Sequence, residues 1–232
     1  MINQSYLTYY QKYLNYNTQT AVVSCEQRRI PLNEHYYYYV IATEIEGKEI
    51  YSVHPELYSS FMRVKRQDSI QKTLEVFQLK HPSLSLRHFY RMSLRANMKM
   101  LNNEAKVFTK EDLENSISSL TEEEKTLHRK RQQRYIEQKN KFIVKKDGQI
   151  AAIAGITDID HGGGNIAVYS NPEFRRKGYG QMVVKRCIDW CADHNFIPIY
   201  LVDVENTASV KLAKSLGFTC YSEEYALSIE IK

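Results

Sequence analysis

The alternation of apolar and polar residues is clearest in the second half of the chain. Phe142-Ile143-Val144, then Lys145-Lys146-Asp147-Gly148, then Ile150 to Ile156 predicts a hairpin closed by an Asp-Gly turn. A third strand is expected at Ile166 to Tyr169, after the run Gly162-Gly163-Gly164, and Pro172 ends it because proline has no N–H for the ladder. Tyr179 to His194 carries Met182, Val183, Ile188 and Trp190 at apolar positions and reads as a helix. Ile199 to Val204 is a short apolar strand. The next helix begins at Asn206-Thr207-Ala208-Ser209 and runs to Leu216, with Asn206 as N-cap and Gly217 as the C′ glycine. Two short strands, Thr219 to Tyr221 and Tyr225 to Ile231, are expected to close the sheet.

The first hundred residues have weaker periodicity. Tyr6, Tyr10, Tyr13 and Leu14 recur at helical spacing, which predicts an amphipathic helix over Ile2 to Tyr16. His35 to Ile45, Glu46-Gly47-Lys48 and Glu49 to Val53 read as a second hairpin, after which Pro55 breaks the pattern. The run Tyr36-Tyr37-Tyr38-Tyr39 suits a packed strand face better than a ligand-stacking platform. Ile70 to Leu79 is expected to be helical, and Pro82 to begin or precede a helix running to about Met100. A short strand at Val107-Phe108-Thr109 then gives way to a helix capped by Thr109 with Asp112 three residues on. The polar stretch from Asp112 to Gln138 makes two helices. A boundary at Asn102-Asn103-Glu104 divides an N-terminal α+β domain, 1–104, from a second domain, 105–232.

Length and charge narrow the class. The 232 residues suffice for one large or two small domains with a real core. A net charge of +5 is modest, and basic runs such as His128-Arg129-Lys130-Arg131 are interleaved with acids, so a solvated helix face outweighs a nucleic-acid surface. No apolar run approaches membrane-spanning length, and the polar, tyrosine-rich N-terminus does not read as a signal peptide, so a cytoplasmic protein with reduced thiols is expected. Cys25, Cys187, Cys191 and Cys220 show no metal spacing. Cys187 and Cys191 are helical neighbours that suit packing, and no metal is expected.

The chemistry concentrates in Val168 to Gly180, V-Y-S-N-P-E-F-R-R-K-G-Y-G. A strand, a basic turn with glycines two apart and a helix N-terminus together make an anion site, because freed N–H groups and the positive end of the helix dipole converge there. Arg175, Arg176 and Lys177 supply countercharge, and Gly178 and Gly180 allow close backbone approach. The spacing is neither a Walker A loop nor a dinucleotide fingerprint. Arg175-x-x-Gly178-x-Gly180 resembles the pyrophosphate-binding signature of the GNAT superfamily of acyl-CoA-dependent N-acyltransferases. Asn206-x-x-Ser209-x-x-Leu212-x-x-x-x-Gly217-Phe218 is similar to the superfamily's second signature. The likeness covers about Phe142 to Ile231 and more loosely reaches back to Val107.

This resemblance implies an α/β (α+β) fold: a mixed, mostly antiparallel GNAT sheet flanked by helices, with the extra N-terminal domain of two-part bacterial acetyltransferases. It implies acetyl-CoA as co-substrate and a small amine as acceptor, joined by direct attack with no covalent enzyme intermediate. By resemblance, Val168 and Ser170 offer main-chain groups to the pantetheine arm and thioester carbonyl. Arg175, Arg176, Lys177, Gly178, Tyr179 and Gly180 hold the pyrophosphate, and Asn206 and Ser209 lie beside the pantetheine and the sulfur. One departure stands out. The tyrosine that many GNAT enzymes use to protonate the departing thiolate corresponds here to Ala213. Ser209, a water or another tyrosine are the alternatives, Glu205, Asp203 and Glu173 are candidate bases, and Asn206, Ser209 and Glu205 are the candidate catalytic residues. Loss of the tyrosine also leaves open a non-catalytic acyl-CoA sensor. Ribosome-associated acetylation is kept only for the basic charge, and a homodimer stays open.

Overall fold

The computed structural model describes residues 4–17, 19–31, 36–95 and 104–231. Among them are seven helices and ten strands, mostly antiparallel, so the fold is the mixed α/β class expected. In chain order these are α1 (Gln4–Leu14), β1 (Val22–Ser24), β2 (Tyr36–Ile45), β3 (Lys48–Val53), α2 (Pro55–Phe61), α3 (Ile70–Leu79) and β4 (Ser85–Ser93). There follow β5 (Lys106–Val107), α4 (Lys110–Ser116), α5 (Glu122–Gln138), β6 (Lys141–Lys146), β7 (Gln149–Asp160) and β8 (Gly163–Ser170). Last come α6 (Tyr179–Asp193), β9 (Ile197–Asp203), α7 (Thr207–Ser215) and β10 (Thr219–Glu230).

The chain divides into two compact units, Met1–Arg95 with Asp160–Gly163 and Ile199–Lys232, and Ala96–Ile159 with Gly164–Pro198. Compactness thus groups the last thirty-odd residues with the first hundred, where the sequence suggested a cut near residue 104. The reason is strand pairing: β10 lies between β2 and β4 and is antiparallel to both.

In the first unit the strands run β1-β3-β2-β10-β4-β9. The β2–β3 hairpin turns at Glu46 and Gly47, both at positive φ, as the sequence predicts. Tyr6, Tyr9, Tyr10, Tyr13 and Leu14 form the buried stripe of α1. Of the four consecutive tyrosines of β2, Tyr38 is buried and the others are half-buried, which fits a packed face. A second apolar cluster joins Val40, Ala42, Tyr51 and Val53 to Phe61 of α2 and Leu74 and Phe77 of α3. Pro55 does more than break a strand: it occupies the first turn of α2, and the His54 ring nitrogen accepts from Glu56 N–H.

Two expectations for this unit are corrected. The helix expected from Pro82 to about Met100 is instead the strand β4, with residues 96–100 outside the described residues. Its alternation is obscured because Arg91 points into the core, 2% exposed, where it meets Glu224 of β10, 1% exposed. The two short terminal strands are one, β10, continuous but with register shifts between Cys220 and Ser222 and between Leu227 and Ser228. Bulges of that kind break the period-two pattern without ending the strand. Ile2, His35 and the Asn102–Asn103 part of the boundary also lie outside the described residues.

The second unit has strand order β8-β7-β6-β5. The β6–β7 turn places Asp147 at φ 51° and Gly148 at φ 77°, the left-handed pair that a type I′ hairpin needs. Thr109 and Asp112 form a capping box at the start of α4, and Thr121 and Glu124 form another at α5. Phe108, Leu113, Ile117 and Ile143 make a local core under these helices. Helix α6 packs against β6, with the Arg186 guanidinium 5.3 Å from the Phe142 ring centre.

Candidate functional site

The loop between β8 and α6 belongs to the second unit. Asn171 Oδ1 accepts from Glu173 N–H at 3.2 Å, and a 3-10 turn, Pro172–Phe174, follows, with the Phe174 ring buried. Arg175 Nε–H then donates to the Ser170 carbonyl at 3.2 Å, tying the loop back to the end of β8. This contact uses one of the five N–H groups of the guanidinium. The Lys177 ammonium lies 5.3 Å from the Phe174 ring centre.

Arg176 sits at φ 62° and Gly178 at φ 82°, both in the left-handed region. A backbone that alternates in this way turns successive N–H groups toward one side, the geometry of an anion-binding nest. Gly178 is the N-cap of α6 and has no side chain with which to cap it. The helices α3, α4, α5 and α7, by contrast, are capped by Ser69, Thr109, Thr121 and Asn206. The first turn of α6 thus presents its N–H groups and the positive end of its dipole without a capping oxygen from its N-cap residue. Arg175, Arg176, Lys177 and Gly178 are all exposed, and Tyr179 and Gly180 are half-exposed. A Cβ added at Gly178 would meet no atom within 4 Å, so the space beside it is open. This is a basic, glycine-bounded cradle able to hold a phosphate or diphosphate. On β8, Val168 and Ser170 are half-buried and Tyr169 is exposed.

The second group of residues belongs to the first unit. Asn206 Oδ1 accepts from Ser209 N–H at 3.1 Å, an N-cap as expected, and Gly217 lies at φ 88° just beyond α7. Asp203 Oδ1 accepts from Glu205 N–H at 2.9 Å, so this candidate base serves as a turn cap. Glu205 and Glu173 are exposed. Ala213 is fully buried, and its methyl group occupies the core side of α7 where the resemblance calls for a tyrosine.

One contact here was not read from the sequence. The Tyr200 hydroxyl on β9 and Ser209 Oγ lie 2.8 Å apart. Residues nine apart on a strand and the following helix carry no periodic signal, and only the β9–α7 packing brings them together. The Arg91–Glu224 pair was likewise missed. It is extended by Arg91 Nη1–H donating to Tyr9 Oη at 2.8 Å. Burial alone would lower the Arg91 pKa, but the Glu224 carboxylate holds it well above its ordinary value, so the guanidinium is charged throughout.

The thiols match a packing role. Cys187 and Cys191 are buried on α6, and burial raises Cys191 to about 12 and Cys187 well above its ordinary range. Among the described residues no group of three or more His, Cys, Asp and Glu could hold a metal ion, and no helix is long and apolar enough to cross a membrane.

Comparison with known proteins bears on the fold and the family likeness. Residues 108–218 match the family model of the Acetyltransferase (GNAT) family. Among solved structures, an acetyltransferase from the GNAT family from Colwellia psychrerythraea is 12% identical over 100% of this chain and 98% of that one, with a TM-score of 0.56. A protein from Novosphingobium aromaticivorans DSM 12444, assigned to the same family, is 18% identical over 64% of this chain and 66% of that one, with a TM-score of 0.49. None of the curated proteins matches the sequence. At 12% identity the likeness to the Colwellia psychrerythraea structure establishes the fold alone.

Proposed function

We propose, from the match of residues 108–218 to the GNAT acetyltransferase family model, that this chain moves an acetyl group from acetyl-CoA to the amine of a small molecule. The observation that carries this reading is the cradle itself. A left-handed Arg176–Gly178 turn, flanked by three cationic side chains, runs into a helix whose N-cap has no side chain. A CoA diphosphate has the charge and size for such a cradle.

The chemistry then follows from acyl transfer. A neutral amine attacks the thioester carbonyl, the C–N bond forms, and the tetrahedral intermediate collapses with the C–S electron pair passing to sulfur. An alkyl amine is mostly protonated at pH 7, so a base or a water must first remove a proton. Glu205, exposed beside the start of α7, is the carboxylate this reading puts forward. The family resemblances assign the pyrophosphate to Arg175, Arg176, Lys177, Gly178, Tyr179 and Gly180, and the pantetheine arm and thioester carbonyl to main-chain groups of Val168 and Ser170. They assign the pantetheine and sulfur to Asn206 and Ser209. A backbone N–H toward the oxyanion would stabilise the developing charge without reorganisation. A direct attack of this kind asks for no enzyme nucleophile, in keeping with the buried, hard-to-ionise Cys187 and Cys191.

A second reading is favoured by the buried Ala213: a module that binds acyl-CoA without turning it over. An amine panel separates the two. The enzyme reading expects CoA release that rises with at least one primary amine and saturates. Release at the no-enzyme rate for every amine, with acetyl-CoA still bound, would favour the sensor.

A further inference from the structure

We propose that the outward face of α5 is a contact between two copies of this chain, which pair antiparallel about a twofold axis. Helix α5 lies wholly in the second unit, and none of its 17 residues is buried. Its half-buried side, which carries Arg129, Gln132 and Ile136, turns toward α4 and the local core. Arg129 reaches Glu114 of α4 at 2.7 Å, and Ile136 packs on the Phe108 cluster. On the opposite side Glu123, Leu127, Lys130 and Arg134 are all exposed, Leu127 to 48%. Spaced four, three and four residues apart, they form one ridge.

The ridge cannot satisfy its own charges. Glu122, on the flank of the helix, finds Lys125 at 2.8 Å and Arg129 at 3.8 Å. At the same spacings Glu123 finds only Thr126 and Leu127, and Lys130 finds Thr126, Leu127, Gln133 and Arg134. Among the described residues the side chains of Glu123 and Lys130 make no ion pair or hydrogen bond. The two lie about 10 Å apart along the helix, too far to bridge. Lys130 and Arg134 are like charges one turn apart, an unfavourable pair on an isolated helix. A second α5 supplies what is missing. In an antiparallel pair centred between Leu127 and Lys130, Glu123 meets Arg134 of the second copy, and the twofold axis repeats that contact in reverse. One Arg134 N–H donates to the Thr157 carbonyl, which steadies the guanidinium and leaves its other N–H groups for a carboxylate. Leu127 lies against the methylene stem of the second copy's Lys130, and the two leucines sit about 4.5 Å apart along the axis. Parallel pairing would instead set Glu123 against Glu123 and Arg134 against Arg134. A ridge of about 16 Å buries less than the roughly 800 Å² per partner of a stable complex. The association is therefore reversible, with a dissociation constant on the order of tens of micromolar.

Sedimentation equilibrium of the full chain, from about 5 to about 500 μM and at low and high salt, reads this association. The wild type should dimerise, and more weakly as salt rises. Glu123→Arg and Arg134→Glu should each weaken self-association by at least about 10-fold, because each sets two like-charge pairs across the axis. Mixed in equal amounts, the two variants should recover the wild-type affinity, since both charge pairs re-form in the mixed dimer. Leu127→Glu should weaken the dimer as much while leaving the Arg134–Thr157 bond in place. Circular dichroism and thermal unfolding of each variant show that α5 is still folded. A wild type that stays monomeric at every concentration would overturn the proposal. So would a dimer that none of the folded variants weakens, or weakened single variants whose mixture fails to recover.

Discussion

Substitution of Gly178 separates what the loop does for folding from what it does for binding. Gly178 lies at φ 82°, and a Cβ there would meet nothing within 4 Å. Gly178→Ala therefore incurs only the left-handed backbone penalty, about 1–2 kcal/mol. For a chain of this size that is a fall in Tm of about 2–8 °C. Gly178→Glu adds the same strain and a carboxylate beside the proposed diphosphate site. At about 6 Å, with an effective dielectric constant of about 40 for an exposed loop, each pair of unit charges repels by about 1.4 kcal/mol. Two phosphate charges make that about 2.8 kcal/mol, a loss of about 100-fold in acetyl-CoA affinity. Differential scanning fluorimetry and isothermal titration measure the two effects on the same preparations. The loss should shrink at high salt, and binding of free pantetheine, which lacks phosphates, should not change. A folded Gly178→Glu protein that binds acetyl-CoA with wild-type affinity would refute the loop assignment. A fall in Tm far beyond the strain would refute the open space beside the glycine.

Other expectations follow from individual contacts. Glu224→Gln should destabilise the protein by about 3–5 kcal/mol by stranding the buried Arg91 charge, and adding Arg91→Met should recover much of it; purely additive losses in denaturant unfolding would deny the coupling. Burial alone would raise the Asp112 carboxyl, but the Lys145 ammonium and the N–H and hydroxyl of Thr109 hold it below its ordinary value. Its contribution is therefore present above the unfolded-state pKa near 4 and is lost as pH falls through the lower folded value. Asp112→Asn should flatten the stability profile below about pH 4, and acid titrations of equal slope would contradict this. Asn206→Ala should cost about 1 kcal/mol through the lost cap, with Asn206→Asp close to wild type in thermal unfolding. Finally, Cys187 and Cys191 should resist a disulfide reagent at pH 8 in the native protein, and Cys220, exposed but raised to about 11, should react slowly; rapid labelling of α6 would mean the helix is not packed as described.

What could be read from the sequence was local. The Asp147–Gly148 turn, the Thr109–Asp112 capping box, the Asn206 cap and the Gly217 terminus each involve residues within a few positions of one another, and all were recovered. The elements that were misread depend on distant partners. Strand β4 hides its alternation because a buried arginine is tolerated only where Glu224, 133 residues away, neutralises it. Strand β10 reads as two because bulges shift its register. For the candidate site, the signatures located the loop and the cap. The Tyr200–Ser209 contact needed the packing of a helix on a strand.

The central claim is that the turn before α6 holds the diphosphate of acetyl-CoA. It is tested most directly by isothermal titration of the purified protein with acetyl-CoA, desulfo-CoA and free pantetheine. Micromolar binding of both nucleotide-bearing ligands, with pantetheine at least 100-fold weaker, is the expected result. No binding of acetyl-CoA, or binding that pantetheine matches, would mean the loop is structural only and would contradict the account.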